Sequence, residues 1–241
     1  MFDTLYQPDL SICFMWVVAL TFFFFIKAFI RGTVSWHIKI ALVIILVGWL
    51  FLQWTLSVKG YYLNFTGMPP RFILAIGPPF FLISLIMILK KKAWLIVFSL
   101  KTLTWIHVVR IPVELILLGL YFDKQIPQLM TFEGRNFDIL SGLTAPLIAY
   151  FCFTKNIWNK KVALVWNIIC LGLLLNIVIN AVLSAPFAFQ KFAFDQPNVA
   201  VAFFPFVWLP AFVVPVILFS HLASIYQLIT FKNNLNETNA S

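Results

Sequence analysis

Residues 105–146 read WIHVVRIPVELILLGLYFDKQIPQLMTFEGRNFDILSGLTAP. A histidine, an arginine and a glutamate sit inside an apolar run that then passes into a polar loop. On an α-helix, residues three, four and seven apart share a face, so His107, Arg110 and Glu114 form one polar stripe about 60° wide. Leu103, Leu118 and Tyr121 continue that face. Ionisable side chains at membrane depth cost several kcal/mol unless they pair or meet water, so a stripe of this kind marks an intramembrane functional site wherever the helix crosses a bilayer.

The rest of the chain indicates that it does. Hydrophobic residues make up 62% and charged residues 10% of the sequence, against about a quarter charged in an ordinary soluble domain. The expected fold is all-α, a polytopic integral membrane protein. At roughly 20 apolar residues per span, 241 residues accommodate about seven helices with short loops and no separate soluble domain, which excludes a receptor with a built-in output domain. The formal charge of +9 is carried beside hydrophobic segments, where it acts as a topology signal and implies no nucleic acid. Cys13, Cys152 and Cys170 fall in apolar runs with neither CxxC nor Cys/His spacing, so neither a disulfide framework nor a zinc site is expected. No basic residue precedes the first apolar run, so that run is expected to stay in the mature protein.

The seven expected helices cover residues 10–30, 38–56, 72–89, 94–121, 138–154, 162–183 and 201–228, as one domain over residues 1–231, followed by a disordered cytoplasmic tail over 232–241. The fourth is read as one tilted helix with Lys101 near the inner surface. The seventh holds Pro205, Pro210 and Pro215. Lys27, Arg31, Lys39, Lys90, Lys91, Lys92, Lys155, Lys160, Lys161 and Lys232 fall on one side, against Lys59, Arg71, Lys124, Arg135 and Lys191 on the other. The positive-inside rule then puts the N-terminus outside, the C-terminus in the cytoplasm, and the loop after the fourth helix outside. Lys39-Ile40-Ala41-Leu42-Val43 and Lys161-Val162-Ala163-Leu164-Val165 open the second and sixth helices alike. That echo suggests two parallel three-helix copies around the fourth helix, as in some transporters.

Pro112 has no N–H, so it leaves the Val108 carbonyl without its helical partner and kinks the stripe between Arg110 and Glu114. Four apart, those two are expected either to form a self-contained ion pair or to leave guanidinium donors free for an anionic group. The loop after the helix brings Glu133, Arg135, Asn136 and Asp138, with Gly134 allowing a fold-back, so it reads as a lid over an outward-facing pocket with Arg110 at its base. Asn136 or Asp138 also suits the cap of the fifth helix. Asn176 and Asn180, one turn apart on the sixth helix, suit interhelical hydrogen bonds or the pocket wall. His107, Arg110, Glu114, Glu133, Arg135, Asn136, Asp138, Asn176 and Asn180 are thus the candidate ligand-binding set.

His221, between Ser220 and Ser224, lies at a depth similar to His107, which admits a bis-histidine haem in principle, although no cofactor is expected. The last helix has no lysine for a retinal Schiff base before Lys232, and P-loop, GxSxG and HExxH motifs are lacking. The Asn64-Phe65-Thr66 sequon bears on glycosylation only.

Two functional classes remain. A small-molecule carrier in the cell membrane, with membrane lipid around it and a small polar or anionic ligand, suits the proline-broken helices and a buried pair that protonation can break. An intramembrane enzyme acting on a lipid-linked or isoprenoid substrate would use Arg110 to hold phosphate or carboxylate and Glu114 or Asp138 as acid or base. A structural subunit of a membrane complex is the plainest alternative.

Overall fold

A computed structural model describes residues 8–30, 35–89 and 93–238. Arg31, Lys90, Lys91, Lys92 and Asp3, which bear on the charge asymmetry, lie outside the described residues, as do 239–241. Among the described residues the secondary structure is helical, with no strand. The α-helices are α1 (Pro8–Ile30), α2 (Trp36–Val58), α3 (Ile73–Ile88), α4 (Ala93–Ile96), α5 (Leu100–Trp105), α6 (Arg110–Phe122), α7 (Ile139–Phe153), α8 (Lys160–Ser184) and α9 (Val214–Thr238). A 3-10 turn, Ile106–Val109, fuses α5 to α6, and a π turn, Leu209–Val213, leads into α9. Among the described residues five segments are long and apolar enough to cross a membrane: Asp9–Phe29, Trp36–Val58, Leu100–Phe122, Lys160–Ser184 and Leu209–Thr230. Ile73–Ile88 and Ile139–Phe153 are apolar but shorter. The chain has the helices of an integral membrane protein.

The fourth expected helix is not continuous. Ser99 stops it: its backbone N–H donates to the Ala28 carbonyl at 3.2 Å, and its hydroxyl caps α5 by accepting from the Thr102 N–H. α4 is therefore a separate short piece, and the crossing segment starts at Leu100. The seventh is also shorter at its start than the apolar pattern implies. Residues 200–202 form a 3-10 turn and the regular helix begins only after the π turn, because Pro205 and Pro210 withhold the N–H groups a helix would need there. At the other end α9 runs to Thr238.

The core lies between α1, the α5–α6 unit and α9. Phe25, Phe98 and Phe219 meet at its centre, with the Phe98 and Phe219 rings 4.9 Å apart and edge-on. α8 and α7 complete the packed part. α2 stands apart: of its side chains only Gln53 and Ser57 are buried, and a large apolar groove of about 670 Å³ separates it from α3 and α9. Hydrogen bonds fasten it instead. Pro215 has no N–H for the Ala211 carbonyl, and the Trp49 indole on α2 donates to that carbonyl at 2.9 Å. Trp208 donates to Leu50 at 3.0 Å and Ser57 to Ala202 at 2.9 Å. The echo between the second and sixth helices has no counterpart in this packing, since α8 lies along α9 whereas α2 and α3 face each other across the groove.

Candidate functional site

The polar stripe of the crossing segment faces inward, as its composition requires. His107, Arg110 and Glu114 are all buried. Their partners come from three other places in the chain, and the pairing differs from an Arg110–Glu114 bridge. Arg110 Nε lies 2.8 Å from Asp138 Oδ2, immediately before α7. Its Nη1 donates to His221 Nε2 on α9 at 3.3 Å. Glu114 takes Asn136 Nδ2 instead, at 2.6 and 2.7 Å from its two oxygens.

Local structure explains the divergence. The 3-10 turn before Arg110 winds the chain more tightly than an α-helix, and Arg110 is where that winding ends. α7 comes unusually close to this turn at Gly142, where a Cβ would stand 2.8 Å from Ile111 Cγ1 and 3.3 Å from the His107 carbonyl. That approach sets Asp138, at the start of α7, beside Arg110. The preceding loop folds back on itself at Gly134, where a Cβ would fall 2.2 Å from the Gln128 carbonyl. Close approach, not a positive φ, is what demands glycine there. The fold-back aims the Asn136 amide at the Met130 carbonyl, 3.0 Å away, and at Glu114, while Asn136 Oδ1 accepts the Asp138 backbone N–H at 3.0 Å. Asn136, not Asp138, thus provides the cap-like bond before α7, freeing the Asp138 carboxylate for Arg110.

Guanidinium nitrogens only donate, so His221 Nε2 must accept and the ring is neutral with its proton on Nδ1. That proton goes to Asn167 Oδ1 on α8, 2.9 Å away, and the Asn167 amide donates to Ala163 at 2.8 Å. A continuous path therefore runs from Asn167 through His221 and Arg110 to Asp138. His107 lies flat on His221, ring centroids 4.0 Å apart, with the Trp166 ring edge-on at 5.3 Å. Neither His107 nitrogen has a hydrogen-bond partner. Stacked rings direct their lone pairs within their own planes, so no iron between them can be ligated by both, and the bis-histidine haem arrangement does not fit. Among the described residues no three His, Cys, Asp or Glu side chains converge as a metal site.

The remaining candidates divide. Glu133 and Arg135 are exposed and do not reach the cluster. Arg135 contributes its carbonyl, which accepts from Asn176 Nδ2 at 2.7 Å, and Asn180 donates to Asn176 at 3.2 Å. The helix asparagines hold the loop down. His221 and Asn167 were missed as site residues, although an isolated asparagine in the run WNIIC and a histidine between two serines were the available signals.

A cavity of about 220 Å³ opens beside the cluster, between α3, α6, α8 and the start of α9. Its walls are apolar, among them Val113, Leu117, Leu174, Ile177 and Val178, and its polar lining consists of Glu114, Asp138 and Asn198. Arg110 is not part of the wall of this cavity. Ile73, Val182 and Phe189 at the rim are exposed.

Residues 69–229, more than half of the chain, match the profile of the family described as Domain of unknown function (DUF8737). The chain belongs to this family. No curated protein and no solved structure matches it. The stretch shared with DUF8737 runs from α3 into α9 and takes in every residue of the cluster and of the cavity wall, while α1 and the loosely packed α2 precede it.

Proposed function

We propose that this member of DUF8737 is a seven-span carrier of the cell membrane, with its N-terminus outside and its C-terminus in the cytoplasm, that binds a small molecule in the cavity beside Glu114 and Asp138. The five long spans and the two shorter apolar helices support the count. At 1.5 Å per residue, the 16 residues of α3 and the 15 of α7 extend about 24 and 22 Å, and flanking turns on both help them reach across a hydrocarbon core of about 30 Å.

One observation carries the functional reading: an apolar cavity ends on the carboxylates of a buried charge cluster inside the bundle. Intramembrane charge is costly and is retained where a ligand or ion uses it. Arg110 holds Asp138 at Oδ2 while Oδ1 has no partner, so a ligand that engages Asp138 shares its carboxylate with Arg110 and is coupled through it to the contacts among α6, α7 and α9. This is the coupling between occupancy and helix arrangement that alternating access requires. A catalytic reading has less support, because the guanidinium that would hold a phosphate is turned away from the cavity.

Native mass spectrometry of the purified full chain, wild type against Val178→Trp, tests binding. A co-purified small molecule lost on filling the cavity supports the reading. Uptake of that molecule into proteoliposomes, driven by counterflow, then tests transport. Retention in Val178→Trp, or uptake no faster than into empty liposomes, overturns it.

A further inference from the structure

The chemistry of the cavity lining specifies the kind of ligand, given the binding reading above. Three polar side chains, Glu114, Asp138 and Asn198, line the cavity, and their acceptor oxygens lie just behind its apolar surface. Asp138 Oδ1 has no hydrogen-bond partner, and neither has Asn198 Oδ1, although Asp138 is 5% and Asn198 2% exposed. The orientation of Asn198 is fixed, because its Nδ2 donates to the Ala181 carbonyl at 3.1 Å and its backbone N–H to Ser184 at 2.9 Å. The Glu114 oxygens share one amide group of Asn136 and have capacity to spare. Buried acceptors without donors are rare and costly unless something supplies the donor.

Charge gives the second, independent argument. Glu114 lies within electrostatic reach of both Asp138 and Arg110. The cluster therefore sets two carboxylates against one guanidinium, and its His221 is neutral by the donor–acceptor argument above. With both carboxylates ionised it is one positive charge short. An uncompensated charge in a low-dielectric interior is a large penalty, which either a proton on one carboxylate or a cationic guest removes. Shape gives the third. Beyond the carboxylates the walls are aliphatic and aromatic, and 220 Å³ holds about seven groups of roughly 30 Å³ each, so the end of a longer chain projects through the open side. The exposed rim residues Ile73, Val182 and Phe189 open the cavity sideways between α3 and α8, toward the lipid.

We propose that the cavity binds an amphiphilic amine: an ammonium head donating to Glu114 and Asp138, with Asn198 Oδ1 as a further acceptor in the same cavity, and an apolar body of medium length among Val113, Leu117, Ile177 and Val178. The ligand arrives from the bilayer, head group last to leave the interface. An anionic ligand meets two carboxylates and no cavity-facing cation, so it is disfavoured here, in contrast to what the isolated Arg110 suggests.

Three probes of one chain length isolate the head group: octylamine, octanol and octanoate, titrated at neutral pH into the full chain in zwitterionic nanodiscs and read by tryptophan fluorescence. Octylamine is expected to bind at least about tenfold more tightly than octanol, and octanoate most weakly, tenfold being about 1.4 kcal/mol. Glu114→Gln should weaken octylamine about tenfold and leave octanol unchanged. Val178→Trp should exclude all three, with its thermal midpoint confirming a folded protein. Octanoate binding as tightly as octylamine in the wild type, a comparison that needs no variant, overturns the ammonium assignment. If Val178→Trp excludes all three probes without a head-group preference in the wild type, the amine inference fails while the binding site stands. If a folded Val178→Trp binds all three unchanged, the cavity reading fails as well.

Discussion

Asp138→Asn keeps the shape of the side chain and removes the charge that faces Arg110. The contact is short, Nε to Oδ2 at 2.8 Å, and both side chains are almost fully buried. With charge centres about 4 Å apart and an effective dielectric constant of about 20, the lost attraction is ~4 kcal/mol. Removing one member of an isolated buried pair costs about 3–5 kcal/mol, and Glu114, within electrostatic reach of Arg110, offsets part of that loss in Asp138→Asn. Arg110→Met should cost a similar amount, plus up to about 1.5 kcal/mol for the hydrogen bond to His221 at 3.3 Å. The double variant carries neither charge of the pair, so it should cost less than the sum of the singles, although Glu114 then has no guanidinium within reach. Unfolding titrations with SDS in mixed micelles, followed by tryptophan fluorescence, give all four corners of the cycle. If the two single effects add to within about 0.5 kcal/mol of the double, the pair is not coupled and the geometric argument for the cluster is wrong.

Gly142→Ala should destabilise by about 1–3 kcal/mol, because the new Cβ would stand 2.8 Å from Ile111 and 3.1 Å from its backbone nitrogen; an unfolding curve matching wild type would deny the close approach of α7. Gly134→Ala should loosen the loop and release Asn136 from Glu114, seen as faster amide hydrogen exchange confined to residues 128–138. Trp49→Phe should cost about 1–2 kcal/mol by orphaning the Ala211 carbonyl, and should detach α2 selectively, which cysteine accessibility along α2 would report. Tyr62, buried beyond the end of α2 with its hydroxyl donating to Gln53, has a pKa pushed up from 10.0 to about 12 by burial. Its contribution is fully present below pH 10 and is lost as pH rises toward 12, so the stability gap between wild type and Tyr62→Phe should shift against the wild type by about 2 kcal/mol across that window. A gap constant from pH 9 to 11.5 would contradict the burial.

Which parts of this arrangement the residues declare in advance follows from the range of the interactions involved. Helical periodicity is local, so the stripe His107, Arg110, Glu114 and its burial are legible from spacing alone. Pairing is not local. The i, i+4 rule joins Arg110 to Glu114, but a neighbour on the same helix loses to one on another helix when the backbones approach closely enough. Here Gly142 permits that approach and the 3-10 turn at 106–109 redirects the arginine. Neither is visible without the partner helix in place. His221 and Asn167 are hidden for the same reason, since polar residues recur along α8 and α9 and only packing brings these two to Arg110. The break at Ser99 is of a third kind: serine in a polar-flanked apolar run is ambiguous until the Ala28 carbonyl is seen to accept its N–H.

Proline distributes rigidity across the bundle. Each proline in a span withholds an N–H from a carbonyl one turn back, and the partner that replaces it records which helices move as a unit. At Pro215 the replacement is Trp49, so α2, otherwise open to lipid, is tied to the π turn at the head of α9. That π turn also supplies Leu209 and Pro210 to the cavity wall. On the opposite wall, α6 and α7 are fixed to each other and to α9 by Arg110, Asp138 and His221. The cavity thus lies between a wall held by charge and a wall held by neutral hydrogen bonds, each of the latter contributing only about 1 kcal/mol. A ligand that engages Asp138 and Glu114 acts on the stronger side, while the weaker side, α2 with the π turn and α3, is the one able to give way. If the bundle opens to pass a ligand, it should therefore open between α3 and α8, and a bis-maleimide cross-linker joining Ile76→Cys to Val178→Cys across the cavity should stop transport while leaving the Arg110–Asp138 cluster intact.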